Sequence, residues 1–178
     1  RLVGGLRAQD LIIVAGRPGL GKTAFCMGIA THAAVSGKAT VGVVSLEMSA
    51  DSLGRRVLSS SAEVDAHKMR TGFLGREDWI RLSQSAGQLS EAKLYMQHVG
   101  SMSIVALRAS AERLALERGL DLLVVDYLQL LSGGRRFDNR TAEVTEISRG
   151  LKQLASDLKI PVIAASQLNR SIETRGFS

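Results

Sequence analysis

Apolar runs punctuate the 178-residue chain at Leu11–Ala15, Thr40–Ser45, Lys93–Val99, Leu120–Asp126 and Pro161–Ser166. Several are near-continuous Val, Ile and Leu, the pattern of strands covered on both faces. Between them the apolar spacing changes to threes and fours. Val144, Ile147, Leu151, Leu154 and Leu158 share one face of a helix predicted over Thr141–Leu158. Ile104, Leu107, Ala111 and Leu114 do the same in Ser103–Arg118, where Ser103 suits an N-cap and Gly119 a stop. Ala24–Ala34 is rich in helix-compatible residues, and Asp51–Leu89 reads as helix broken near Gly72 and Gly75. Strand alternating with helix predicts the α/β class, a mostly parallel sheet with helices on both faces.

Composition narrows this to one domain. A chain of 178 residues can bury roughly 70% of its unfolded surface. With 45% hydrophobic but only 4% aromatic residues, the core must be aliphatic. One cysteine, Cys26, excludes an internal disulfide and a cysteine metal cluster, and fits a reducing compartment. Cys26 reads as a small buried thiol. His32, His67 and His98 lack the spacing of zinc ligands. No apolar run reaches membrane-spanning length, so no membrane partner is expected. There is no internal repeat or linker. The chain opens at Arg1 without a methionine or signal peptide, which reads as a fragment.

Charge adds a direction. The formal net charge is +6, a balance that suits a polyanion as well as plain solvated surface. Arg135, Arg136 and Arg140 stand in the polar stretch Ser132–Arg140, and Arg170 and Arg175 in the tail.

The chemistry centres on Gly16-Arg17-Pro18-Gly19-Leu20-Gly21-Lys22-Thr23, which reads G-x-x-x-x-G-K-[ST]. It follows an apolar strand and opens a helix, the context in which this string cradles a nucleoside triphosphate. The glycines let backbone N–H groups converge on phosphate at a helix N-terminus. Lys22 would reach the β- and γ-phosphates, and the Thr23 hydroxyl would ligate Mg²⁺. Asp126 ends a second apolar strand, where a carboxylate faces the ligand crevice and would help hold Mg²⁺; the alternative is a surface aspartate. The residue after it is Tyr127 rather than a glutamate, so a base for water must come from elsewhere. Glu47, beyond the strand end at Ser45, is the candidate base; its rival role is an acid capping the helix that starts near Ser49. Gln167 ends the last strand, where its amide could hydrogen-bond a γ-phosphate and pass hydrolysis on to the loop beyond.

Four strings occur in order: the phosphate loop, Ser45-Leu46-Glu47-Met48-Ser49, Asp126-Tyr127-Leu128-Gln129-Leu130-Leu131 and Ser166-Gln167-Leu168-Asn169-Arg170. Together they resemble the C-terminal RecA-like motor domain of the bacterial replicative DNA helicase family, the DnaB type, over nearly the whole chain. Gly19 and Leu20 depart from the Ser and Met usual in that family's loop, at positions where only backbone need meet phosphate. The resemblance implies a RecA-like P-loop core over residues 1–178. It implies a cytoplasmic, ATP- and Mg²⁺-dependent helicase that moves on single-stranded DNA as a homohexameric ring, with primase and a helicase loader as further partners. By position it makes Glu47 the base, Asp126 the metal acid, Gln167 the γ-phosphate sensor, and the loops with Arg135, Arg136, Arg140 and Arg170 DNA-facing or interface loops. Such helicases also carry an N-terminal domain, a linker helix and a C-terminal region with another DNA loop and the arginine finger, none of which is recognised in this sequence. Two other functions share much of this layout: a recombination- or clock-type RecA-like ATPase, and a non-catalytic nucleotide-binding assembly module.

Overall fold

The computed structural model describes residues 5–134, 137 and 139–168. Arg135, Arg136, Arg170 and Arg175 lie outside the described residues. Five parallel strands form the sheet: β1 (Leu11–Gly16), β2 (Val41–Ser45), β3 (Leu94–His98), β5 (Leu122–Asp126) and β7 (Val162–Gln167), in the order β1-β7-β5-β2-β3. β4 (Met102–Ser103) and β6 (Leu131–Ser132) pair separately as a two-stranded parallel ladder. The five predicted apolar runs are these five strands, with ends shifted by one or two residues.

The helices are α1 (Lys22–Val35), α2 (Ala50–Ala62), α3 (Ala66–Thr71), α4 (Arg76–Glu91), α5 (Ile104–Arg118) and α6 (Arg140–Leu158). They divide by sheet face. Cys26, Met27 and Ala30 of α1 and Leu53 and Val57 of α2 pack on Val41, Val43, Val124 and Ile163. Leu107 and Ala111 of α5 and Ile147, Leu151 and Leu154 of α6 pack on Val44, Val125, Val162 and Ala164 on the opposite face. Every residue of β2 and β5 is buried, which is why those strands carry no polar alternation. β1 differs. It stands at the sheet edge, and Ile13 is 44% exposed.

Caps set the helix limits. Ser103 Oγ accepts the Ala106 N–H at 3.1 Å, and Gly119 ends α5, both as its sequence predicts. The predicted helix Asp51–Leu89 is three helices. Besides the break between Gly72 and Gly75, the chain turns at Glu63, whose φ of 52° stops α2, and restarts at the Asp65 cap of α3. Where α6 packs on the start of α5, Gly150 leaves room for the Ile104 side chain: a Cβ there would lie 2.5 Å from Ile104 Cγ1.

Candidate nucleotide site

The sheet register brings the carboxyl ends of four strands to one edge. Gly16 of β1 pairs with Gln167 of β7, and Ser45 of β2 pairs with Asp126 of β5. Loops leaving such ends face the ligand crevice of an open α/β sheet. Lys22, Thr23, Glu47, Asp126 and Gln167, far apart in the sequence, belong to or closely follow these ends.

The loop 16–23 is built by its glycines. Gly19 and Gly21 both hold φ of 78°, a left-handed conformation in which a side chain is strained. Gly21 is the N-cap of α1 and offers no side-chain cap, so the first N–H groups of the helix remain for a ligand. Lys22 Nζ donates to the Arg17 carbonyl at 2.7 Å, which folds the ammonium back over the loop's own concavity. The site therefore combines helix N–H groups with a positive charge, the complement of a phosphate chain.

Asp126 is 3% exposed, and its Oδ2 is buried without a hydrogen-bond partner among the described residues. Burial raises its pKa above the usual carboxylate value, while the Thr23 hydroxyl, Lys22 and Arg56 draw it back down. An orphaned carboxylate oxygen beside a threonine hydroxyl fits a divalent cation. The Cys26 thiol, buried nearby, is pushed up to about 11, by burial first and by the Asp126 charge second. At that value it is a packing group rather than a nucleophile.

Glu47 is exposed, and its carboxylate has no hydrogen bond or ion pair among the described residues. Its backbone is placed nonetheless. The preceding Leu46 donates its N–H to the Asp126 carbonyl at 2.7 Å, and Met48 N–H reaches Ser45 Oγ at 3.0 Å. Helix α2 is capped by Ser49, whose Oγ accepts the Ser52 N–H at 3.2 Å. The side-chain cap of α2 is therefore Ser49.

At the far end of the site, Leu168 N–H donates to the Gly16 carbonyl at 3.1 Å, tying the Gln167 turn to the start of the phosphate loop. Arg140, whose charge the resemblance places in a DNA-facing or interface loop, is engaged internally: its guanidinium pairs with Glu143 and donates to the Gln129 carbonyl. Two residues escape a reading of sequence. Arg56 places its charge near Asp126 from α2, and Gln129 bonds to the end of β7. The signal for Gln129 was one amide among Leu128, Leu130 and Leu131.

A parallel sheet with a glycine-cradled helix N-terminus at its carboxyl edge defines a P-loop nucleotide-binding domain of RecA-like architecture. Residues 1–177 match the DnaB-like helicase C-terminal domain, and the chain belongs to that family. It is 47% identical over 176 residues to the replicative DNA helicase DnaB of Geobacillus stearothermophilus, covering 98% of this chain and 39% of that protein. It is 44% identical over 176 residues to the replicative DNA helicase DnaC of Bacillus subtilis, again covering 98% of this chain and 39% of the relative. Among solved structures, a DnaB-like replicative helicase described with its interactions with primase superposes with a TM-score of 0.88 at 29% identity, covering 96% of this chain and 42% of that one. A second solved structure, of an ATPase domain, superposes with a TM-score of 0.87 at 29% identity, covering 96% of this chain and 61% of that one. The chain thus spans about two-fifths of the length of these curated relatives, 39% in each case. Among the described residues no helix is long and apolar enough to cross a membrane.

Proposed function

We propose that this chain is the ATP-driven motor domain of a replicative DNA helicase, cytoplasmic and assembled as a homohexameric ring that moves on single-stranded DNA. The carrying observation is the meeting of phosphate loop, orphaned Asp126 oxygen and unpaired Glu47 at one sheet edge. Family membership supports this reading over a recombination- or clock-type ATPase and over a non-catalytic assembly module.

In this reading residues 16–23 wrap the triphosphate of ATP, and Lys22 leaves the Arg17 carbonyl for the β- and γ-phosphates. Thr23 and Asp126 would hold Mg²⁺, which supplies charge neutralisation of the phosphates when bound. Glu47 orients the attacking water and accepts its proton. Gln167 hydrogen-bonds the γ-phosphate and registers its departure. Arg135, Arg136 and Arg170 contact DNA phosphates. Primase and a helicase loader are the further partners of the whole protein.

The test is steady-state ATP hydrolysis and fork unwinding by the full-length protein, with and without single-stranded DNA. DNA-stimulated hydrolysis together with unwinding is expected. Hydrolysis indifferent to DNA, with no strand separation, would refute the motor assignment.

A further inference from the structure

A phosphate-binding site does not by itself require an amide at position 129. Gln129 stands in the 3-10 turn Leu128–Leu130 that follows β5, yet both ends of its side chain are engaged. Nε2 donates to Ser166 Oγ at 2.9 Å and to the Gln167 carbonyl at 2.9 Å. Oε1 accepts the Gln167 N–H at 3.1 Å. The backbone pairing of β5 with β7 runs from Leu123↔Val162 to Val125↔Ala164. Beyond it the Gln129 amide bonds to both the N–H and the C=O of Gln167, as a neighbouring strand's peptide would. A side-chain amide can rotate away from such a pairing; a ladder peptide cannot.

The opposite side of Gln129 continues the connection. Its main-chain carbonyl accepts from the Arg140 guanidinium, which also pairs with Glu143. Glu143 Oε1 in turn accepts the Gly133 N–H at 3.2 Å. A continuous chain of hydrogen bonds thus links the end of β7 to the backbone just past β6. A cleft of about 850 Å³, lined by Gln129, Arg140 and Gln167 among others, runs alongside these side chains.

Resting on the reading of Gln167 as the γ-phosphate sensor, we propose that Gln129 is the positioning residue that transmits the state of the β7 end, through Arg140 and Glu143, to the segment after β6. That segment is where Arg135 and Arg136 stand in the sequence. Gln129 touches no reacting atom. It couples the two ends of the motor's cycle, so its loss separates hydrolysis from DNA.

The experiment measures kcat and KM for ATP in the full-length protein, with and without oligo-dT, for the parent, Gln129→Glu and Arg140→Gln. The glutamate keeps the length and can still accept the Gln167 N–H, but loses both donated bonds. The exposed Arg140→Gln cuts the next link and serves should Gln129→Glu misfold. Stimulation by DNA is expected to fall about fivefold or more in each, from lost hydrogen bonds, with KM for ATP within about twofold. Retained stimulation in both variants overturns the relay. So does an equal fall of both rates alongside a lower thermal midpoint, which marks a merely structural bond. A parent indifferent to oligo-dT refutes the motor reading itself, whereas a stimulated parent with equally stimulated variants refutes only the relay.

Discussion

The two halves of the sheet's carboxyl edge are built on opposite principles. On the β1–β7 side, polar groups satisfy one another: Gly16 with Leu168, Gln167 with Gln129, Gln129 with Arg140. On the β5–β2 side, the acids are left open. Among the described residues, Asp126 Oδ2 is buried with no partner and Glu47 is exposed with none. A buried polar atom without a partner costs about 1–3 kcal/mol, so such an arrangement persists where a ligand completes it. A closed network instead fixes relative positions. In the reading proposed above, one side receives ligand and water, and the other holds its geometry and passes on a change in it.

The open side should yield the largest effects. Replacing Glu47 by glutamine keeps the side chain's shape and removes its ability to accept a proton. Turnover should fall by about 10²–10⁴, the usual worth of a positioned base, with ATP binding largely retained. Near-parental hydrolysis by Glu47→Gln would move the base to another residue. Lys22→Ala deletes the ammonium that folds back over the phosphate loop. Charge-assisted hydrogen bonds are worth about 1.5–3 kcal/mol each, so ATP affinity should drop roughly 10- to 100-fold by equilibrium titration. Parental affinity would remove residues 16–23 from the site.

Asp126 tests the openness through stability. Its folded-state pKa is raised by burial above the unfolded value. The native state therefore holds the proton more tightly, and stability declines as pH rises from the ordinary carboxylate value through the folded one. Above that window, at neutral pH, the full penalty persists unless a cation offsets it. Mg²⁺ should raise the thermal midpoint of the parent at neutral pH, and less so as pH falls toward the carboxylate range. Asp126→Asn should be insensitive to Mg²⁺ and, without the ion, more stable than the parent by about 1 kcal/mol. An equal Mg²⁺ response in both proteins would place the cation elsewhere.

How far the sequence carries this reading follows from where the signals lie. β2 and β5 were legible because burial on both faces demands unbroken apolar runs. α6 was legible because one side of it packs against the sheet. The phosphate loop was legible because its geometry needs glycine at fixed places, two of them at φ of 78°. Missed were the two-residue strands β4 and β6, too short for any period, and the stop at Glu63, a non-glycine in the left-handed region. Asp78 was missed although its partners are local. It is buried, and its carboxylate accepts from the Gly75 N–H and from Arg81, each three residues away in the first turns of α4, which hold it below the usual range. Gln129 shows the limit most plainly: its bonds reach residues 37 and 38 positions away. Local pattern reports which side chains are buried, and only topology reports which polar atoms meet.

The smallest effect should come from Ser49, which sits two residues past Glu47 and belongs to the scaffold of the open side. Its Oγ caps α2 by accepting the Ser52 N–H, with the extended backbone usual for an N-cap. Ser49→Ala removes that bond and should cost about 1 kcal/mol, a fall of about 2–4 °C in thermal midpoint for a domain of this size. Glu47 itself should be disturbed little, because its backbone is held by the Leu46 bond to Asp126 and the Met48 bond to Ser45. Turnover should therefore stay within about threefold of the parent, far from the loss in Glu47→Gln, and Ser49→Asp, another good N-cap, should restore the midpoint. If Ser49→Ala instead lost turnover on the scale of Glu47→Gln at an unchanged thermal midpoint, Ser49 would belong with the groups that meet the nucleotide. The division between open acids and their scaffold would then have to be redrawn one turn further into α2.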